Sequence, residues 1–278
     1  MTKSILASLS GLSSDRTVLD TAIALARIEG GEVMCLRARI DVVDAAAVLS
    51  VGFPNPGMPI GDSIASIREE EIQRSRHARA AYDEAMARHR IGKDVGVSLS
   101  WAETTSLFGE LIAQARYHDL TVMGRDAELS AESIRTVLLA SGRPLVMAPP
   151  RPQQALGKTI AIAWKEGAEA ARAVAAAETL LAKAERIFIL SAPEGNRGEA
   201  VKEVAHLASL FAAKGLKAET RLAEAGGGAR AIRNLAYDCD ADLLVMGAYG
   251  HSRMREMILG GVTEAMLSDC AIPVFFFH

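Results

Sequence analysis

A six-residue string that recurs with a single change limits what this chain can become. Asp119-Leu120-Thr121-Val122-Met123-Gly124 returns as Asp242-Leu243-Leu244-Val245-Met246-Gly247, and Arg143-Pro144-Leu145-Val146-Met147 is matched in place by Ile272-Pro273-Val274-Phe275-Phe276. Each string is a short apolar run beside a Gly or Pro, the pattern of a strand buried on both faces. Their return in the same order predicts an internal duplication, one fold unit built twice.

The segments between the strings agree. In the first half, apolar runs at 4–9, 32–39, 95–101, 120–124 and 144–148 predict five strands. Helical spacing separates them over 15–27, 63–90, 105–117 and 131–141. Residues 41–63, with Gly52, Pro54, Pro56, Gly57, Pro59 and Gly61, allow no regular element. The second half repeats the scheme, with strands at 158–163, 186–191, 216–222, 243–247 and 273–277 and helices at 168–184, 199–214, 230–237 and 260–268. Between them, Pro149-Pro150-Arg151-Pro152 forbids both helix and central strand. The expected division is therefore a domain at 1–148, a linker at 149–157 and a domain at 158–278. Strands alternating with helices give an α/β fold with parallel sheets covered on both faces.

A length of 278 residues lets each domain bury its own core. The net charge of −3 supplies no bulk attraction to nucleic acid or to an acidic membrane. No apolar run reaches membrane-spanning length, and the one ending at Leu9 is too short for a signal peptide. Cys35, Cys239 and Cys270 follow no metal-ligand spacing, and their odd number argues against a disulfide framework. The expectation is a soluble cytoplasmic protein with no nucleic-acid partner and no membrane insertion.

The richest stretch for chemistry runs from Leu243 to Thr263. A buried strand ends at Met246-Gly247, a loop carries Gly250, His251, Arg253 and Gly260, and a helix opens at Gly261-Val262-Thr263. Glycines let backbone approach a ligand closely, the first amides of a helix face outward, and arginine can engage two phosphate oxygens at once. This is an anion cradle by residue type; the alternative is a glycine-rich surface loop with solvated charges.

Gly247-x-x-Gly250, nine intervening residues, Gly260 and the Val262-Thr263 helix opening resemble the nucleotide-binding signature of universal stress proteins, in the tandem two-domain form. The resemblance implies two doubly wound, Rossmann-like five-stranded parallel sheets of strand order 3-2-1-4-5. A ligand would sit between the first and fourth strands of a copy. It implies ATP as the ligand, with Mg²⁺ as a candidate companion, and a role in the stress response by binding rather than conventional catalysis. The residues carried over are Met246, Gly247, Gly250, His251, Arg253, Gly260, Gly261, Val262 and Thr263, with Trp164 and Lys165 in the first strand-to-helix loop. Two departures stand out. Gly261 replaces the usual Ser or Thr, losing a hydroxyl donor that contributes ~1 kcal/mol. Lys165 stands where the family has an Asp facing adenine and ribose, so an acceptor has become a donor. Trp164 could stack on a base or pack on the sheet edge.

The first half departs further. Ser10 occupies the Asp position, the loop after Gly124 is shorter, and Asp126, Glu128 and Glu132 fall where phosphates would lie. Carboxylates at a helix start satisfy the amides that phosphate would need, so this copy is expected to be degenerate. Gly226-Gly227-Gly228 follows the wrong strand for a dinucleotide fingerprint and is expected to turn into a helix. The charges of 68–90, with His77 and His89, are expected to form a solvated helix face. The remaining alternatives are a binding module for a non-nucleotide small molecule, a slow ATPase and a structural interaction protein with no ligand. The apolar strands at 144–148 and 273–277 are expected to pair internally as a pseudo-dimer, with Phe275-Phe276-Phe277 as a candidate surface for a homodimer.

Overall fold

The computed structural model describes residues 3–39, 60–91, 96–105, 107–126, 131–193, 195–224, 226–250 and 261–278. In the first copy the strands are β1 (Lys3–Leu9), β2 (Gly31–Ala38), β3 (Ser98–Thr104), β4 (Leu120–Met123) and β5 (Leu145–Met147). Its helices are α1 (Asp15–Glu29), α2 (Ile60–Arg88), α3 (Leu107–Tyr117) and α4 (Ala131–Ser141). The second copy has β6 (Thr159–Ala163), β7 (Arg186–Ser191), β8 (Ala218–Leu222), β9 (Leu243–Gly247) and β10 (Val274–Phe277). Its helices are α5 (Ala168–Ala176), α6 (Glu178–Lys183), α7 (Arg197–Ala213), α8 (Gly228–Asp238) and α9 (Val262–Ser268).

All of these strands join one ten-stranded sheet, in the order β3-β2-β1-β4-β5-β10-β9-β6-β7-β8. Counted from its own first strand, each copy runs 3-2-1-4-5. Pairing within each copy is parallel, and the copies meet antiparallel at β5 and β10, with Val146 opposite Phe275. The expected internal pairing of the terminal strands is present. Phe275 and Phe276 are spent in it: they are 2% and 0% exposed, so that run is no free surface for a homodimer.

The sheet is buried on both faces. Ile5, Ala7, Val146, Ile162, Val245 and Phe275 pack beneath α1, α2 and α5 to α7, while Leu6, Leu145, Met147, Leu244, Val274 and Phe276 pack beneath α3, α4, α8 and α9. Both layers run unbroken across the β5–β10 junction. Burying a Leu, Ile or Phe side chain stabilises by about 1.5–3 kcal/mol, so the junction contributes as core does.

The repeated string has a physical reason. The Asp242 carboxylate accepts backbone N–H groups of Gly157, Lys158 and Thr159 at 2.7, 3.0 and 3.2 Å, anchoring the start of β6. Asp119 does the same for β1 by accepting from the Ser4 N–H at 2.9 Å. Burial pushes the Asp242 carboxyl upward, against the three amide bonds that hold it down.

Several boundaries differ from the sequence expectation. The third strand is β3 at Ser98–Thr104 rather than 95–101; its register, with Trp101 opposite Cys35, continues to Thr104 opposite Ala38. The helix expected at 168–184 breaks at Ala177, where α5 gives way to α6. The last helix starts at Val262, with Gly261 extended before it. His89, expected to face solvent, instead approaches Asp20 of α1 at 2.7 Å. The α2 face is not wholly solvated either: Glu71 is buried against Arg37.

Candidate functional site

Strand pairing sets the geometry. Ala163 pairs with Met246, so the loop that leaves β6, Trp164-Lys165-Glu166-Gly167, lies beside the loop that leaves β9, Ala248-Tyr249-Gly250. This is the crevice at the carboxyl ends of the first and fourth strands, where strand order reverses. Gly247 permits it. A Cβ there would lie 2.5 Å from the Ala170 nitrogen and 2.6 Å from the Glu169 carbonyl carbon, so only glycine lets β9 abut the start of α5. Gly250 is different. A Cβ would meet only the Glu169 Oε2, at 3.5 Å, an ordinary contact, and its backbone is not left-handed.

Those residues singled out from sequence that are described divide into three groups. Gly247 and Gly250 flank the crevice together with the exposed Lys165. Thr263, 9% exposed in the first turn of α9, follows the half-buried Gly261 and Val262. Met246 and Trp164 are packed: Met246 is 4% exposed in the second core layer, and Trp164 rests on the first. The Trp164 Nε1 is buried without a hydrogen-bond partner among the described residues. His251, Arg253 and Gly260 lie outside the described residues, as does Glu128.

Two side chains at the crevice were not singled out. Glu169, in the first turn of α5, is 7% exposed and accepts from Arg172 Nη2 at 3.1 Å. Its distance to Gly250 and to Gly167, 3.6 Å from a Cβ built there, sets a carboxylate on the crevice wall. Tyr249 has a φ of +53° and donates its hydroxyl to Glu264 Oε1. Burial, then the bond to Glu264, pushes the Tyr249 phenol well above its ordinary range. A tyrosine between two glycines was the signal for the second; the first has none, because a Glu in a helix's opening turn is ordinary.

The first copy, superposed through strand register, places Ser14 opposite Glu169, Asp15 opposite Ala170 and Asp126 opposite Tyr249. Its crevice is stoppered. Asp15 accepts from the Ser10 and Gly11 N–H groups, both at 2.8 Å, and from the Ser10 hydroxyl at 3.1 Å. Asp126 accepts from the Ser13 hydroxyl at 2.9 Å and from the Ser14 hydroxyl. Burial pushes the Asp15 carboxyl upward, and the amide bonds and nearby Arg37 oppose it. The α2 backbone covers the loop: a Cβ on Gly11, whose φ is +78°, would fall 2.3 Å from the Arg74 carbonyl oxygen. Glu132 is turned to Arg135 at 2.7 Å. Among the described residues no three His, Cys, Asp or Glu side chains gather as a metal-holding group, and no helix is long and apolar enough to cross a membrane.

Comparison with known proteins agrees with this architecture. The sequence profile of the universal stress protein family matches residues 146–278. A universal stress protein of Synechocystis is 41% identical over 64 residues, which span 23% of this chain and 22% of that protein's length. Among solved structures, a universal stress protein from Archaeoglobus fulgidus superposes with a TM-score of 0.65 at 17% identity, covering 99% of this chain and 96% of that one. A putative universal stress protein from Pseudomonas aeruginosa gives 0.57 at 16%, covering 99% and 93%. Residues 146–278 thus match the universal stress protein family, and the residues before them repeat the same strand order.

Proposed function

We propose that this chain is a tandem universal stress protein, divided at 149–157, whose second copy binds a phosphate-bearing nucleotide, ATP first, as a signal in the stress response. The observation that carries the reading is the contrast at Gly250. Packing explains Gly247, whereas among the described residues a side chain at Gly250 would meet only Glu169 Oε2, and a glycine there suits close approach by a ligand. The stoppers of the first copy are absent as well: Ala170 and Tyr249 stand where Asp15 and Asp126 close the other crevice. Phosphates would lie along Gly250 and the Gly261-Val262-Thr263 opening, with His251, Arg253 and Gly260 supplying the rest of the cradle. Glu169 can accept from ribose hydroxyls, the role that Lys165 cannot fill, or face a Mg²⁺ held by the phosphates.

The test is thermal unfolding with ATP, ADP, AMP and GTP, with and without Mg²⁺. At one hundred times its Kd a ligand stabilises by about 2.7 kcal/mol, an upward shift of about 5–10 °C for a chain of this size. Gly250→Glu should abolish the shift. No shift with any nucleotide at millimolar concentration would sink the proposal. Lys165 favours a second reading, a non-nucleotide anion in the same crevice. Native mass spectrometry of freshly purified protein would reveal such a ligand. A slow ATPase would instead require turnover that vanishes with Thr263→Ala.

A further inference from the structure

We propose that Arg135 of the first copy is a positioning residue for the crevice of the second, acting on Tyr249 both directly and through Glu264, and so on the loop that carries Gly250. The inference rests on the nucleotide reading of that crevice and assigns the first copy a part in it.

Tyr249 occupies a backbone region that side-chain-bearing residues rarely adopt. Such a conformation persists only where surroundings over-determine it. Here the tether is the phenol, which donates to Glu264 Oε1 in the first turn of α9. Glu264 is paired in turn with the other copy: Arg135 Nε of α4 stands 3.1 Å from the same Oε1, an ion pair without hydrogen-bond geometry. The Arg135 Nη1 reaches Glu132 Oε2 at 2.7 Å, which fixes the guanidinium on its own helix. Arg135 and Glu264 side chains are each 20% exposed, so water screens the pair less than it would at an open surface.

The helix between these contacts needs outside support. At seven residues, α9 is far too short to be stable alone. A second arginine of the first copy serves it, since Arg125 Nη1 donates to the Leu267 carbonyl at 3.1 Å. Arg233 of α8 donates to the Asp269 carbonyl at 2.6 Å just beyond its end.

The internal symmetry adds an independent argument. Matching Pro144 with Pro273 makes Arg135 and Glu264 the same position in the two copies, as it does Val146 and Phe275, which face each other in the sheet. In a symmetric dimer of identical units a residue on the axis meets its own copy, and a charge there would meet like charge. Only a fused pair can set Arg against Glu at that place. The two copies have diverged to complementary charges where the crevice loop is tethered.

The experiment reads amide hydrogen exchange at Tyr249 and Gly250 without ligand, and ATP affinity by titration, in the full chain. Arg135→Gln should speed exchange at those amides up to about fivefold and weaken ATP by a similar factor, the loss expected for one partly exposed ion pair, with exchange in Leu243–Met246 unchanged. Tyr249→Phe should reproduce both effects and stands in if Arg135→Gln fails to fold. The double variant should add little to either single one, and Arg135→Lys should recover part of the loss. Unchanged exchange in both single variants would overturn the proposal. If exchange rises but the wild type binds no ATP, the nucleotide reading falls and the tether stands. If the wild type binds ATP and neither readout moves, the tether alone falls.

Discussion

The two crevices of this chain are made from one backbone plan and differ in where their carboxylates sit. In the first copy Asp126 leaves the strand and bonds to hydroxyls at the start of α1, while Asp15 takes the loop amides. In the second, the acid is Glu169 on the helix, and the strand end offers Tyr249 and Gly250 instead. One copy has satisfied its own donors; in the other, the strand-end Tyr249 is tied to Glu264 of α9. A duplicated fold can thus close one crevice with its own carboxylates and make that copy a support.

The support is also electrostatic, and breaking it should give the largest effect. Arg37 at the end of β2 is 2% exposed, and its Nη2 donates to Glu71 Oε2 at 2.8 Å. Burial pulls the Arg37 guanidinium downward, and Glu71 and Asp15 resist. The corresponding residue of the second copy is Ser191. Glu71→Ala strands a buried cation and should cost about 3–5 kcal/mol in denaturant unfolding. ATP affinity should be unchanged in the variant that remains folded. A loss below about 1 kcal/mol would mean that the pair is not buried as drawn.

The paired strand-end glycines come next. Gly247→Ala drives a methyl group into the backbone of Glu169 and Ala170, whereas Gly124→Ala meets side-chain atoms of Ser14 and Val18, at 2.4 to 2.9 Å. Side chains yield more readily than backbone. Within the about 1–3 kcal/mol typical of overpacking, Gly247→Ala should fall near the top and Gly124→Ala nearer the middle. Equal losses in urea titrations would erase this part of the contrast.

Much of this is legible in the sequence itself. The repeated strings marked two copies, because buried parallel strands are continuous apolar runs, and the family resemblance implied their strand order. The glycine spacing marked Gly247 and Gly250. What could not be read was long-range. That Arg37 meets Glu71, or Arg135 meets Glu264, depends on packing between elements far apart in sequence, and local periodicity is blind to it. Trp164 was ambiguous because an indole suits both a base and a core; it lies against the core. The shift of β3 to Ser98–Thr104 has the same origin, since an edge strand alternating apolar and polar residues is placed by its neighbour.

A smaller effect probes the stopper itself. Asp126→Ala removes the acceptor of the Ser13 and Ser14 hydroxyls and should cost about 1–2 kcal/mol, at about 1 per bond. It should not create a second nucleotide site, because Asp15 still holds the Ser10 and Gly11 amides. Titration with ATP should give the wild-type stoichiometry. A doubled stoichiometry would show that one carboxylate alone separates the two copies.

The smallest effect is the most discriminating, because only its sign matters. Glu169 is almost fully buried beside the second crevice, close to Gly250. If phosphates run along Gly250, its charge opposes them, and Glu169→Gln should tighten ATP without Mg²⁺ about fivefold, or ~1 kcal/mol. Mg²⁺ should shrink that gain, since a bound cation already offsets the carboxylate. If Glu169 instead accepts from the ribose hydroxyls, the amide is the poorer acceptor and the same substitution weakens ATP in both conditions. Titrations with and without Mg²⁺ therefore report which end of the nucleotide this carboxylate faces, a choice that the exchange of Asp for Lys165 leaves to Glu169.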